Sequence, residues 1–115
     1  MAQAFDEKEL LERVDGDVEF LADTVQMLET DGRSLIAEVK VAIAAGDSPA
    51  IGRTAHTLKG MISNFCAPTL QELALNVEKA GKAGDCATAA TAVARLEPDL
   101  ESLIGELNAF VKARS

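Results

Sequence analysis

Residues 48–66 read SPAIGRTAHTLKGMISNFC and contain the only histidine of this 115-residue chain. A rotation of about 100° per residue would place His56 roughly 140° from the centre of the apolar face of this stretch. That face has residues spaced alternately by four and three, as in an amphipathic helix: Ile51, Ala55, Leu58, Ile62 and Phe65. The sequence therefore predicts a helix over 48–66 that buries one side and exposes the imidazole of His56.

The residues that share the exposed face with His56 are candidates for a reactive or docking surface. Lys59 and Ser63 lie within about 60° of His56 around the helix, as do Gly52 and Gly60. A glycine in a helix interior costs about 1 kcal/mol relative to alanine. Either glycine alone could be a tolerated surface residue. Two glycines, one turn before and one turn after His56, favour a surface cleared of side chains so that another protein can approach the imidazole.

The rest of the chain also reads as helices joined by short connections. Capping residues and apolar periodicity predict helices over 6–14, 17–45, 68–83 and 86–112 in addition to 48–66. In the long helix 17–45 the apolar stripe includes Leu35, and Asp31-Gly32 could bend the backbone. Pro98 should kink the last helix without ending it, because the apolar phase is the same on both of its sides.

These helices predict one all-α domain over residues 1–115. Short connections between helices of similar length favour an antiparallel up-down-up-down four-helix bundle with a short extra N-terminal helix. An intermolecular coiled coil is the alternative for a long heptad pattern, but the recurring capping signals argue against it.

Composition excludes several classes of partner. The chain has 19 acidic and 11 basic residues and a formal net charge of -8, which opposes binding to nucleic acid or to anionic lipid. No apolar run approaches the roughly 20 residues that a membrane span requires, and no signal peptide is evident. We expect a cytoplasmic protein. Cys66 and Cys86 should lie on the order of 25 Å apart at opposite ends of one helix, as reduced and half-buried thiols.

No pattern for a metal or a hydrolytic centre accompanies His56. A metal-binding helical bundle uses Glu-x-x-His pairs, and Arg53 occupies the position three residues before His56. The nucleophile elbow of hydrolases and the glycine-rich phosphate loop are also missing from the sequence. We therefore expect that the chain binds neither a metal ion nor a cofactor of its own.

His56 can instead act as a nucleophile toward a phosphoryl group, since a neutral imidazole is available near pH 7. Lys59 can set its ammonium beside the transferring oxygens, although it could also be an ordinary surface lysine. A partner that fixes the tautomer of the ring would help, because one ring nitrogen must attack while the other keeps its proton. Glu78 is the candidate. It lies about 140° from the inward stripe of its own helix, so it faces either His56 or solvent.

These residues carry a resemblance to a known family. Ala55-His56-Thr57-Leu58-Lys59-Gly60 resembles the core of histidine-containing phosphotransfer (HPt) domains of bacterial multistep phosphorelays. The similarity continues through Asn64, Ala67, Leu70, Leu73, Glu78 and Gly84-Asp85, and it includes Phe5-Asp6, Leu10-Leu11, Gly16-Asp17 and Gly46-Asp47. Two departures stand out: Cys66 occupies a position where the family usually has glycine, and Met61 replaces a small residue.

The resemblance implies a phosphorelay intermediate without kinase activity. His56 would accept a phosphoryl group from the aspartyl phosphate of one receiver domain and pass it to another, with Lys59 offsetting the phosphoryl charge. In some members of the family a Glu or Gln at the position of Glu78 hydrogen-bonds the ring. A non-catalytic helical adaptor that binds receiver domains without phosphotransfer is the alternative.

The implied partners are the receiver domains of a hybrid histidine kinase and of a response regulator. Any Mg²⁺ would belong to the partner receiver, and the chain itself is expected to be a monomer. The expected docking face around His56 comprises Gly52, Gly60, Ser63 and Leu75. Leu75 lies about 160° from the inward stripe of its helix, so it is either a partner contact or an ordinary exposed leucine.

Overall fold

A computed structural model of the chain describes residues 5–114, so that residues 1–4 and 115 of the expected domain 1–115 lie outside the description. The six α-helices are α1 Glu7–Arg13, α2 Val18–Met27, α3 Arg33–Ala45, α4 Ser48–Ile62, α5 Pro68–Lys82 and α6 Cys86–Arg114. A π-helical turn, Leu28–Gly32, joins α2 to α3, and a 3-10 turn, Ser63–Phe65, follows α4. Every regular element of residues 5–114 is helical, which confirms the all-α class.

The helices form a four-helix bundle, as predicted. The joined pair α2 and α3 forms one side, α4 packs against α3 and α5, and α6 packs against α5 and returns to α2 and α3. The short helix α1 caps one end: the ring of Phe5 lies 5.4 Å from that of Phe110, and Arg13 donates a hydrogen bond to the carbonyl of Ser63. Pro98 is exposed inside α6, which continues past it to Arg114.

Four helices begin at aspartates that the sequence marks as caps. In each case the side chain accepts a hydrogen bond of 3.0 to 3.2 Å from the backbone N–H three residues later; the capping residues are Asp6, Asp17, Asp47 and Asp85. Each cap satisfies a donor that the helix itself leaves unpaired, which is typically worth about 1 kcal/mol. The caps fix where α1, α2, α4 and α6 start.

The buried stripe differs from the predicted one at a single step after the π turn between α2 and α3. The sequence places Leu35 on the buried stripe, but the structure buries Ile36 and leaves Leu35 half-buried. Val39 and Ala42, further along the stripe, are buried as predicted. Gly32 ends the turn in contact with the core, because a Cβ there would lie 3.5 Å from a methyl group of Leu100.

The two cysteines are free thiols in different surroundings. Cys86 is half-buried, as expected, whereas Cys66 is buried. Cys66 also has a φ of 55°, in the left-handed region that glycine adopts without strain. The 3-10 turn after α4 therefore ends on a residue whose backbone conformation favours glycine.

Helices α4 and α5 approach each other through their backbones. A Cβ added to Gly81 would lie 2.6 Å from the backbone nitrogen of Gly52 and 2.9 Å from a methyl group of Ile51. Gly52 is buried by this contact. The expectation that Gly52 belongs to an exposed docking face was therefore wrong, because α5 covers that part of α4.

Replacing Gly81 tests the close approach. Gly81→Ala should lower the free energy of unfolding by about 1 to 3 kcal/mol, the usual effect of forcing extra atoms into a packed site. Gly105→Ala in α6 is the matched control: it is exposed, nothing lies within 4 Å of an added Cβ, and it should gain up to about 1 kcal/mol from helix propensity. Urea unfolding followed by circular dichroism measures both. Equal stability of the two variants would contradict the packing described here.

Candidate functional site

His56 lies in the middle of α4 with 68% of its side chain exposed. Neighbouring positions Ala55 and Leu58 face the core and anchor this stretch of helix, so the imidazole projects from a fixed backbone. One ring nitrogen is held from the side of α5: Nδ1 of His56 lies 3.0 Å from Oε2 of Glu78. The two side chains that the sequence analysis pairs are therefore in contact in the structure.

The burial of Glu78 was not predicted. Only 4% of its side chain is exposed, so of the two orientations that its place on the helix allows, toward His56 or toward solvent, Glu78 adopts the first and is buried in doing so. The close approach of α4 and α5 at Gly52 and Gly81 brings the carboxylate under the surface. A buried carboxylate is unfavourable unless its oxygens are paired.

Two lysines supply the pairing. Nζ of Lys59 lies 2.8 Å from Oε1 of Glu78, and Nζ of Lys82 lies 3.0 Å from Oε2. The contact with Oε1 is an ion pair that lacks the alignment of a hydrogen bond. The ammonium of Lys59, expected to face a phosphoryl group, is thus engaged with Glu78. Lys82 was missed as a site residue, although its spacing of four from Glu78 is the spacing of a helical ion pair.

These cations decide the protonation of the pair. The contacts with Lys59 and then Lys82 lower the pKa of Glu78 to about 2, against the opposing effect of burial. An ionised carboxylate can only accept hydrogen bonds, so in the neutral ring Nδ1 of His56 carries the proton. The lone pair then resides on Nε2. The arrangement makes Nε2 of His56 the nucleophilic atom.

The other residues expected at the docking face have different surroundings. Gly60 is exposed, and nothing lies within 4 Å of an added Cβ. The hydroxyl of Ser63 donates to the carbonyl of Gly60 at 2.6 Å, while the Ser63 carbonyl accepts from Arg13, so Ser63 closes the end of α4. Leu75 is half-buried on α5.

An open groove of about 770 Å³ lies between α2 and α4. Phe20 and Met27 of α2 line it with 54% and 59% of their surface exposed, and Thr57, Gly60 and Met61 bring it to the turn of α4 that carries His56. Sequence reasoning missed Phe20 and Met27. The sequence feature that could have identified them is that both are large apolar residues outside the inward stripe of α2.

A second recess, of about 520 Å³, lies at the junction of α4 and α5. His56, Glu78 and Lys82 line it together with Gly52 and Arg53.

Within residues 5–114 no group of three or more His, Cys, Asp or Glu side chains is arranged to hold a metal ion. Over the same range no helix combines the length and apolarity needed to cross a membrane.

Comparisons with known proteins found similarity in sequence and in fold. A family model described as the Hpt domain matches residues 23–110, a span that includes His56, Lys59 and Glu78. The crystal structure of histidine-containing phosphotransfer protein B from Pseudomonas aeruginosa PAO1 is similar with a TM-score of 0.89 over 98% of each chain. Its sequence identity of 19% makes this a likeness of fold. No curated protein matches the chain.

The ionised state of Glu78 predicts how stability depends on pH. Its pKa in the folded protein, about 2, is below the ordinary value of 4.5, so its contribution is present above pH 4.5 and is lost as the pH falls through 2. Over this interval wild-type protein should lose on the order of 3 kcal/mol more stability than Glu78→Gln, which has no carboxyl to protonate. Urea unfolding of both proteins between about pH 5 and pH 2 measures the difference. Parallel losses would mean that Glu78 is not held ionised by its neighbours.

Proposed function

The chain belongs to the Hpt domain family and is a phosphorelay intermediate of two-component signal transduction, and we propose that His56 is its phosphorylated residue. Proteins of this family interact with receiver domains and are phosphocarriers rather than kinases. The observation that carries the assignment is the contact of 3.0 Å between Nδ1 of His56 and the buried carboxylate of Glu78. It leaves Nε2 unprotonated on an exposed ring.

The proposed reaction needs little from this chain beyond that arrangement. The lone pair on Nε2 of His56 attacks the phosphorus of a receiver aspartyl phosphate, the bond between phosphorus and the aspartate oxygen breaks, and the aspartate leaves as a carboxylate. Nδ1 keeps its proton, so the phosphorylated ring is positively charged and faces the negative charge of Glu78. Transfer to a second receiver is the same step in reverse. Glu78 is a positioning residue in this scheme.

We also propose that Lys59 stabilises the phosphoryl charge. It lies three residues after His56 on α4, and its ammonium is paired with Oε1 of Glu78, the carboxylate whose Oε2 contacts the imidazole. A cation near the oxygens that gain charge lowers the barrier to transfer. Lys59 would exert this effect from its ion pair with Glu78, because only 25% of its side chain is exposed.

The proposed partners are the receiver domains of a hybrid histidine kinase and of a response regulator, which this chain meets as a cytoplasmic monomer. It requires no cofactor of its own, since Mg²⁺ belongs to the receiver, and it has no autokinase activity. A non-catalytic adaptor would bind the same partners. Binding alone does not require an ionised carboxylate buried against an imidazole, so the geometry favours phosphotransfer over a non-catalytic adaptor.

We propose that the receiver docks over the groove between α2 and α4. Phe20 and Met27 offer exposed apolar surface there, and Gly60 lies between this surface and His56, where no side chain holds a partner away. Ser63 borders the same end of α4, and Leu75 on α5 is a contact at the edge. An apolar surface that leads directly to the reactive atom fits a partner that must bring its aspartate to Nε2.

The first test is the substitution His56→Gln. Incubation with a phosphorylated receiver should place an acid-labile label on the wild-type protein and none on the variant, because glutamine has no nucleophilic ring nitrogen. Circular dichroism should be the same for both, since His56 makes no core contact. Nuclear magnetic resonance of the labelled protein should identify Nε2 as the modified atom. Label that persists on the variant would refute the assignment.

The second test separates docking from chemistry at Gly60. Gly60→Gln should keep or raise the melting temperature, since an exposed helix interior favours glutamine over glycine, and should sharply reduce receiver affinity and transfer. His56 in this variant should still react with phosphoramidate, a small phosphoryl donor. Gly105→Gln, the same change at an exposed position of α6, is the control and should leave transfer unaltered. Native transfer by Gly60→Gln would exclude Gly60 from the docking surface.

A further inference from the structure

We propose that the receiver which docks over the groove between α2 and α4 presents lysine or arginine side chains to α2, and that Asp23 selects it by pairing with one of them. The inference rests on the proposed phosphorelay function and on the proposed docking at this groove, and it adds the chemistry of the partner surface. Asp23 is exposed in the middle of α2.

The two sides of the groove carry opposite charge. Residues 14–32, which include α2 and the π turn after it, contain six acidic residues and no basic one. Residues 48–82, which form α4 and α5, contain four basic and two acidic residues. A partner that covers both sides therefore meets negative charge at α2 and positive charge at the hairpin of α4 and α5. The complementary partner surface is basic where it faces α2.

Asp23 lies beside the apolar residues that a docked partner would cover. It is three residues after Phe20 and four residues before Met27, and side chains at these spacings are neighbours on the surface of a helix. Phe20 and Met27 line the groove, and more than half of the surface of each is exposed. A partner that buries them would therefore bring its own neighbouring side chains within reach of the carboxylate of Asp23.

The folding of α2 does not explain an aspartate at this position. Within residues 5–114 the carboxylate of Asp23 forms no hydrogen bond or ion pair, whereas Glu97 and Glu101 of α6 pair with cations of α3. Aspartate has a low helix propensity, and Asp23 lies beyond the first turn, where a carboxylate would gain from the helix dipole. Glu19 places a like charge four residues earlier, which slightly destabilises a helix.

Charge also argues against two other occupants of the groove. A second copy of this chain would bring one acidic α2 against another, and the like charges would repel each other. Anionic lipid and nucleic acid would be repelled for the same reason. A receiver surface with basic side chains around an apolar patch gains both from burying Phe20 and Met27 and from the charge of Asp23.

Removal and reversal of the charge at Asp23 test the selection. Two unit charges about 4 Å apart in water interact strongly enough to change a binding constant roughly fivefold. Asp23→Asn should therefore weaken receiver binding about fivefold, and Asp23→Lys, which replaces attraction by repulsion, about 25-fold. The probe is the receiver domain of the source organism that labels wild-type protein fastest, and titration calorimetry measures its binding. Circular dichroism should show both variants folded, since lysine and asparagine are tolerated in an exposed helix.

Glu38→Lys is the matched control. It makes the same change of charge at an exposed position of α3, which borders a different groove between α3 and α4. At about 0.15 M salt, charges more than about 8 Å apart are largely screened, so this variant should bind the receiver nearly as tightly as wild type. Equal receiver affinities of Asp23→Lys and Glu38→Lys would overturn the inference and leave phosphotransfer by His56 standing.

A charge swap separates direct contact from an indirect effect. Each lysine and arginine around the phosphorylated aspartate of the receiver is replaced by glutamate in turn, and each receiver variant is titrated with Asp23→Lys. One replacement should recover most of the affinity lost in Asp23→Lys, and the same replacement should weaken binding to wild type. Recovery by none of them would mean that Asp23 pairs with no cation of the receiver, and the inference is overturned.

Sedimentation of the chain alone checks the remaining occupant. Wild-type protein should be a monomer at the same salt concentration. A dimer that Met27→Lys dissociates would mean that a second copy fills the groove, which overturns the inference. Failure of every phosphorylated receiver and of phosphoramidate to label wild-type His56 would overturn the proposed function, and this inference with it.

Discussion

Taking a carboxylate out of water costs several kcal/mol unless cations and hydrogen-bond donors replace the lost hydration, and Glu78 is the buried charged residue of the described chain. Three groups from two helices meet this demand: the imidazole of His56 through a hydrogen bond, and the ammonium groups of Lys59 and Lys82 through ion pairs. Their arrangement follows from one negative charge. The two cations keep Glu78 ionised, and the ionised carboxylate fixes the proton of the neutral ring on Nδ1 of His56.

This electrostatic arrangement depends on how closely two helices pack. Glu78 reaches the ring of His56 because α4 and α5 touch through Gly52 and Gly81. A larger residue at Gly81 would separate the helices and lengthen the contact, because an added Cβ there would lie 2.6 Å from the backbone nitrogen of Gly52. Core packing and the geometry of the site are therefore coupled in this bundle.

The sequence predicts the bundle well because the signals for it are local. Asp47 and Asp85 mark helix starts through bonds to residues three positions away, and apolar periodicity shows that His56 faces outward. The burial of Glu78 could not be predicted in this way. A helical wheel gives the direction of a side chain from its own axis, whereas burial depends on how near the neighbouring helix lies. The burial of Ile36 in place of Leu35 was missed for a related reason, since it too depends on how the neighbouring helices pack.

The polar groups of the site and the exposed apolar side chains of the groove lie on different parts of the chain. His56, Lys59, Glu78 and Lys82 all lie on the hairpin formed by α4 and α5, whereas Phe20 and Met27 lie on α2. Substitutions along the outer side of α2 would therefore alter the surface beside the imidazole without disturbing the ion pairs. Under the docking proposed for this groove, duplicated copies of such a domain could diverge in their choice of receiver through α2 while each retains the same ion pairs. For protein engineering, the same proposal makes α2 the helix to randomise when the choice of receiver is to be changed.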